Sequence, residues 1–520
     1  MDWSWGSEMV PLATAGFAVD VQPNGMVYDV TLTPADAPLN VDTGWNAFII
    51  RENSTEGPPL IYGNSSYGVD AVEFAIFAPN QKAGLGTNDI NGALVSGIST
   101  LHVDRLDDVL NSGSLYGPYF NIWVTDGLGN YAVIANEPSN PEWAGSRWDV
   151  SDWNFLKTKT VKVYETEGWN TGTSWVHDYT GLTTGLTFDD VGGLMIEPPT
   201  PAYIAASAFI GSGAPDVIST NIAYGYNWIV GDTAANYETG DGEGFVVANY
   251  SATATFPVNN VTKSIGYGTI TAALADADEG NTLEVSAGTY AENITIPVGV
   301  TLTSVSGATT TTIAGSGGSV VVVNADNVTI DGFTITNPTG TYAITATDHS
   351  NLAIRNNVIT NIGSSAISSY VHAVAVVCSA SPVANVVIED NDFSYIEAGE
   401  YSSASAIAVG WSTGAEAVTG LVIQNNSIFH VRSNTSPWNV GHGAYGIILN
   451  HGTGTTGQTV GAQIQNNTID DLEGLWSHGI GLEGNTPGAL VQGNTISNLV
   501  DHKSPSDAVA VMVESNASLG

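Results

Sequence analysis

Between residues 327 and 499 one short phrase returns six times: NVTIDGFTI, NLAIRNNVI, NVVIEDNDF, GLVIQNNSI, GAQIQNNTI and GALVQGNTI. Five copies keep an apolar residue, two residues, Asn, one residue and a second apolar residue, with Asn357, Asn391, Asn426, Asn467 and Asn494 at the Asn position. The first copy keeps Ile330 and Ile335 and carries Phe333 there. Alternating apolar residues on both sides of a polar turn describe two short strands that meet at a corner. Asn suits the corner because it tolerates left-handed backbone and bonds along a ladder of identical side chains. Such a phrase is one supersecondary unit stacked on itself.

Successive copies lie 24, 34, 35, 41 and 27 residues apart. This predicts a coil of about 24 residues with insertions, each coil adding one strand spacing of roughly 4.8 Å to a parallel solenoid. The insertions are expected at one place, after the Asn phrase and before a second alternating strand that begins near Tyr342, Ala373, Ala406, Gly446, Gly479 and Ala508. Outgrowths from one side of a stack make one continuous face, where function is sought.

The preceding half, 1–255, holds ten of the thirteen tryptophans and no repeat. Its short β-rich runs, among them GFAVDV, VEFAIF, YFNIWVTD and AYGYNWIV, are separated by Gly, Pro, Asn and Asp. That pattern predicts an antiparallel β-sandwich of jelly-roll type. Trp143, Trp148 and Trp153 could stack on sugars, but a large sandwich needs such volume in its core.

After a Pro and Asn stretch near residue 257, Ile270, Ala273, Leu274 and Ala277 take helical spacing and Gly280 stops the helix. A helix here would cover the open end of the solenoid core. With Gly288, Thr289 and Tyr290, then Glu292 and Asn293, and the IDGFTI phrase, this segment resembles the opening of right-handed parallel β-helix proteins of the pectate-lyase-like superfamily. The later coils resemble the repeats named after its periplasmic nitrous-oxide maturation protein. The resemblance covers 262–520 and implies an all-β chain of two domains, a sandwich over 1–255 and a right-handed parallel β-helix with an N-terminal capping helix over 262–520. The fold it implies hosts lyases, glycosidases, esterases, epimerases and adhesins, so it is specific for architecture and not for activity. The final run AVAVMVESNASLG reads as a further coil strand, which makes the C-terminal end of the solenoid an expected truncation.

Composition narrows the partners. Only 11 Lys and Arg stand against 51 Asp and Glu, a net charge of −40. Such a surface repels nucleic-acid phosphates and anionic lipid, and repels polyuronates unless a divalent cation bridges them. With abundant Gly, Thr, Ser and Asn, it suits an extracellular or cell-surface protein. The start, MDWSWGSEMV, lacks the basic and apolar regions of a signal peptide, so export would require a leader outside this sequence. No stretch is long enough to cross a bilayer. Cys378 is the single cysteine and lies in an alternating strand, which excludes an intrachain disulfide and marks a core residue.

The predicted outgrowths, 337–342, 361–372, 395–405, 429–445, 471–478 and 499–507, hold His372, His430, His442, His478 and His502, five of the nine histidines. Rings that stack on sugar faces beside groups that bond hydroxyls are what an extended glycan needs. His372, Tyr401, Trp438, His442, Trp476, Glu483 and His502 are the expected glycan contacts. Alternation predicts a groove floor of small, uncharged residues such as Ala373, Ala375, Ala406 and Ala408. The resemblance implies acidic or calcium-binding residues on that floor for an active lyase, and they are not there. A proton-abstracting base would therefore come from the loops, with Lys503, Arg432 or His478 as base and Tyr445 as acid. A glycosidase would need two carboxylates roughly 5 to 9.5 Å apart, such as Asp470 or Asp471 with Glu483 or Asp501. No HxH or HExxH occurs, so no metal ligands are assigned. The acidic turn at 238–244 offers calcium hard oxygens without the spacing of a calcium loop, and no cofactor is otherwise called for. The sequence thus predicts a polysaccharide-engaging protein. The alternatives are a polysaccharide lyase or glycoside hydrolase, and an adhesin or surface-layer component.

Overall fold

Repeated Ile, Val and Leu at matching coil positions build three parallel sheets, and each coil sends one strand to each. In one coil Val386–Glu389 lies in the first sheet, Asp392–Ala398 in the second and Ala404–Val409 in the third. The described residues of this computed structural model are 19–21, 28–30, 39–42, most of 44–256 and most of 257–513. The main stretches outside them are 64–70, 107–117, 137–141, 143–148, 151–156, 166–174, 204–223 and 232–244 in the first part, and 411–416, 434–441, 451–457 and 503–507 in the second. Two compact units result, Met1–Phe256 and Pro257–Gly520.

In the first unit, antiparallel pairing gives a seven-stranded and an eight-stranded sheet. Both contribute to one core: Ala47, Ile49, Leu85, Phe120 and Ile122 from one sheet meet Val72, Phe74, Leu101, Val103 and Val247 from the other. This is the expected sandwich. Trp45, Trp123 and Trp228 are buried. Trp143, Trp148, Trp153 and the turn at 238–244 lie outside the described residues.

The second unit is a parallel β-helix whose described residues make eight coils. Residues stack in register from coil to coil: Ile330 on Ile354, Ile388, Ile423 and Ile464 in the first sheet, and Ile335 on Ile359, Phe393, Ile428 and Ile469 in the second. Full burial of one such side chain stabilises by about 1.5–3 kcal/mol, and the whole column is buried. Cys378 belongs to this core. At the opening end Val258–Asn260 adds an antiparallel strand beside Asn281–Val285.

The helix Ile270–Ala275 buries Ile270, Ala273 and Leu274 in the same core, as its spacing predicts. Thr269 caps it by accepting from the Ala272 N–H, and the Glu292 carboxylate accepts from the N–H groups of Ile270 and Thr271 at 3.0 and 2.8 Å. Glu292 thus satisfies donors that a helix start leaves over. Tyr290, its neighbour in the sequence, donates to the carbonyls of Pro257 and Ser286.

The Asn corners form the predicted ladder. Oδ1 of Asn391 accepts from the backbone N–H and the side-chain amide of Asn357 at 3.0 and 3.1 Å, and Asn426, Asn467 and Asn494 repeat the pattern on the coil before each. The residue that takes the left-handed conformation is, however, the one before: Gly332, Asn356, Asp390, Asn425, Asn466 and Gly493. Two jobs assigned to one residue are divided between neighbours.

Two further expectations are corrected. The insertions leave the coil at two corners. Beside those between second and third sheets, the return from third to first carries a small extra parallel sheet of Val383–Ala384, Ala417–Thr419 and Gln458–Val460. And Ala343, Ala373 and Ala406 point into the core, because the third-sheet strand turns two consecutive residues inward, a small one and then a bulky one. Space sets the size of the small one: a Cβ on Gly446 of this column would lie 2.6 Å from the Gly479 carbonyl oxygen and 2.8 Å from the Ile469 side chain.

Candidate functional site

The second-sheet strands do not end where the Asn phrase ends. Val358–Gly363, Asp392–Ala398, Ser427–Ser433, Thr468–Gly474 and Thr495–Asp501 all continue through one left-handed residue, at Asn361, Tyr395, His430, Asp471 and Asn498, with φ between 50° and 59°. This extra residue kinks the strand and adds one outward side chain per coil. Asn, Asp and to a lesser degree His adopt that conformation readily, whereas Tyr does so at a penalty of about 1–2 kcal/mol. Local stability does not account for Tyr395, and strained positions of this kind gather at functional sites.

The side chains around the kink form a connected face. Tyr395 packs on His430 with ring centroids 4.9 Å apart and meets Phe429 edge-on at 6.3 Å. Tyr395 and Phe429 keep 48 and 40% of their surface exposed, enough to offer ring faces to a ligand. His430 sits between two carboxylates, Nε2 3.4 Å from Glu397 and Nδ1 3.0 Å from Asp471. Arg432 donates to the Asp471 carbonyl at 2.7 Å and to its carboxylate at 2.5 Å, and its Nε lies 3.2 Å from Glu473. His502 continues the ladder to Glu473 at 2.8 Å. Burial pushes the Asp471 carboxyl up, but hydrogen bonds and charge from Arg432 and His430 outweigh it and hold the group below its ordinary 3.8.

Beside Tyr395 and Glu397 opens a cavity of about 360 Å³, lined by Thr336, Pro338, Asn361, Gly363, Tyr395 and Glu397 from three successive coils. Its volume lies in the range of small-molecule sites.

A second column lies on the outer side of the third sheet, where register places Tyr342, His372, Ser405, Tyr445 and His478 in line. Its members touch: Tyr342 and His372 at 5.9 Å, Tyr445 and His478 at 5.4 Å, and Nδ1 of His372 lies 2.6 Å from the Ser405 hydroxyl. Tyr370 stacks on His372 at 6.2 Å and meets His442 at 5.9 Å. Yet His372, Ser405, Tyr445 and His478 are all buried, in contrast to the second-sheet face. Burial pushes the Tyr342 phenol up. The outer floor here keeps the small, uncharged column expected at Thr345, Ala375, Ala408 and Gly481, but this ring-bearing column runs beside it, because the residues assigned to loops are strand residues on this side.

The predicted site residues divide accordingly. His372, Tyr445 and His478 share one column, with His442 and Trp476 at the starts of the adjacent strands Gly443–Leu449 and Trp476–Leu482. Arg432 and His502 belong to the second-sheet ladder. Tyr401 stands 54% exposed on the turn between the second and third sheets. Glu483 does not join either group: it follows the seven-residue strand Trp476–Leu482, which carries it roughly 23 Å from the corner. That separation also removes Glu483 as a partner carboxylate for Asp471. Asp470 accepts from Ser497 and Asn498 of the next coil. Arg432, held by two carboxylates, is placed as a fixed cation and not as a base. Lys503 and Trp438 lie outside the described residues. Among the described residues no three His, Cys, Asp or Glu side chains converge as metal ligands, and no helix is long and apolar enough to cross a membrane.

Tyr395, Phe429 and Glu397 are absent from the predicted set, and Asp471 entered it only as a candidate glycosidase carboxylate. The signal was present: counting four residues on from the second residue of each NNxI, DNxF or GNxI phrase aligns Asn361, Tyr395, His430, Asp471 and Asn498, and two of the five break the Asn and Asp pattern.

No family model and no curated protein matches this chain. Among solved structures it is similar to an alginate lyase from Paenibacillus sp. str. FPU-7, at 14% identity over 47% of this chain and 96% of that one, with a TM-score of 0.27. It is also similar to the pectin methylesterase from carrot, at 15% identity over 52% and 89%, with a TM-score of 0.30. The catalytic domain of a GH87 alpha-1,3-glucanase in complex with nigerose aligns at 11% identity over 92% and 97%, with a TM-score of 0.16. Likenesses of this strength leave the fold resting on the sheet registers described above.

Proposed function

We propose that this chain is an external, glycan-engaging β-helix protein of the pectate-lyase-like type, and that the kinked outer face of its second sheet holds the sugar chain. One observation carries this: Tyr395 occupies a left-handed position that suits Asn, lines an open cavity, and with its neighbours His430 and Phe429 presents an aromatic strip. Aromatic faces beside bonding groups are the chemistry by which pyranose rings are held. The columns run along the solenoid axis, so successive coils offer successive contacts at roughly 4.8 Å intervals, suited to a polymer more than to a lone sugar.

The arrangement supports binding over cleavage. Glu397 and Asp471 flank the same space, as an acid and base pair would, but the imidazole of His430 fills it and bonds both. A glycosidic bond has no room between them. His372 and Ser405 are close enough for proton exchange, yet both are fully buried, away from any polymer.

Affinity electrophoresis of the whole chain through gels containing neutral, amino and acidic polysaccharides tests this, with reducing ends and absorbance at 235 nm followed in parallel. Retardation without product release is the expected result. Product release would replace the binding role by an enzymatic one, and free migration through every gel would remove the glycan altogether.

A further inference from the structure

We infer that the cavity beside Tyr395 is a subsite for a neutral or amino-bearing sugar residue and that it rejects uronates; this rests on the glycan-binding role proposed above. Its lining contains one charged group, the carboxylate of Glu397, with no Lys or Arg among the six residues. The cation nearest in register is Arg432, which follows Glu397 on the next coil. Its guanidinium turns the other way, toward Asp471 and Glu473, which it joins at 2.5 and 3.2 Å. Two carboxylates already pair with it, so on this face the three carboxylates of Glu397, Asp471 and Glu473 stand against one permanent cation, Arg432, and two imidazoles, His430 and His502. The chain adds a negative field from its net charge of −40.

A uronate carboxylate entering beside Glu397 would meet a like charge at close range with no Lys or Arg on the lining and only the His430 imidazole, 3.4 Å from Glu397, beside it, which selects against it. A neutral hexose meets no such barrier. Its apolar face suits the Tyr395 ring, and the Asn361 amide and Thr336 hydroxyl are bonding groups for sugar hydroxyls on the lining. An ammonium on the sugar gains a charge-assisted hydrogen bond to Glu397. The cavity spans three coils, so the subsite is built from the repeat itself.

The test uses the whole chain on three soluble polymers of similar length, a neutral glucan, chitosan and polygalacturonate, in calcium-free buffer at low and at high salt. Wild type is expected to bind chitosan and the glucan and to bind polygalacturonate at least tenfold more weakly, the gap narrowing as salt screens the repulsion. Tyr395→Ala should weaken glucan and chitosan binding about tenfold or more, as the loss of one stacked ring implies. Glu397→Gln should lower chitosan affinity several-fold, leave the glucan within twofold and raise polygalacturonate binding. Preference of the wild type for polygalacturonate overturns the subsite and leaves the glycan role standing, and this result needs no variant to fold. Glucan and chitosan binding unaffected by Tyr395→Ala also overturns it. Binding to none of the three overturns both.

Discussion

Two ladders run along this solenoid from coil to coil, and they differ in almost every physical respect. The Asn357 to Asn494 ladder is of one residue type, neutral, and nearly sealed from water; each Oδ1 accepts from the coil before. The ladder through Glu397, His430, Asp471, Arg432, Glu473 and His502 is mixed, charged and open. The first satisfies backbone groups that stacking buries, and any coil needs the same residue for the same reason. The second links side chains that water would solvate well, and exposed pairs of this kind contribute about 0–1 kcal/mol each. Uniformity therefore marks architecture, and variation along a column marks what the architecture carries.

The largest effect should come from breaking the uniform ladder. Asn426→Ala leaves the Asn391 N–H, its side-chain amide and the Ile388 carbonyl without their ladder partners inside the core. At about 1–3 kcal/mol for each buried group left unsatisfied, the loss should be on the order of 3–5 kcal/mol. Denaturant unfolding of the solenoid transition measures it, and a loss below about 1 kcal/mol would dissolve the distinction between the ladders.

Arg432→Met should have a smaller consequence, about 1–2 kcal/mol, since it removes two ion pairs and a bond to the Asp471 carbonyl at a side chain that keeps some contact with water. Part of that loss should vanish when wild type and variant are compared in high salt, whereas the Asn426 effect should not change with salt.

Acid sharpens the same contrast. The folded-state value of Asp471 is depressed, so its contribution to stability is complete above the ordinary carboxylate range and disappears as pH falls through the folded value, below the usual 3.8. Protonation removes one partner of Arg432 and leaves Glu473, so the change should be a fraction of the Arg432→Met effect. Unfolding profiles of wild type and Asp471→Asn should draw together as pH falls below the usual carboxylate range; profiles that stay parallel would remove Asp471 from the ladder.

How much of this could be read from residues alone depends on which kind of column is asked about. Ile354, Asn391 and Asn467 recur because every coil needs them, and a repeat is visible to counting; the sheets, the ladder and the capping helix followed. The kink at Tyr395 and His430 escaped because it lies outside the phrase and the residues there differ between coils. The same limit explains the in and out error of the third sheet. Strict alternation places Ala373 and Ala406 outside, but a doubled inward step, set by contact between third-sheet backbone and second-sheet Ile469, has no signature except the small size of the residue. Burial escaped too: His372 and Tyr395 are both aromatic and polar by type, and only packing separates the sealed one from the open one.

That last pair supplies the finest test. Ser405→Ala removes the 2.6 Å bond to His372 in the sealed third-sheet column and should lower stability by about 1 kcal/mol, near the mean for one buried hydrogen bond. Because neither side chain reaches solvent, glycan retention should stay within twofold of wild type. Tyr395→Ala should behave in the opposite way, with retention falling tenfold or more and little change in unfolding, since it removes an exposed ring and keeps the same Cβ in the left-handed position. Two substitutions ten residues apart on the same coil would then separate cleanly, one moving stability and the other moving affinity. If Ser405→Ala weakened retention as much as Tyr395→Ala, the sealed column would have to open to ligand, and the binding face would extend around the corner from the second sheet onto the third.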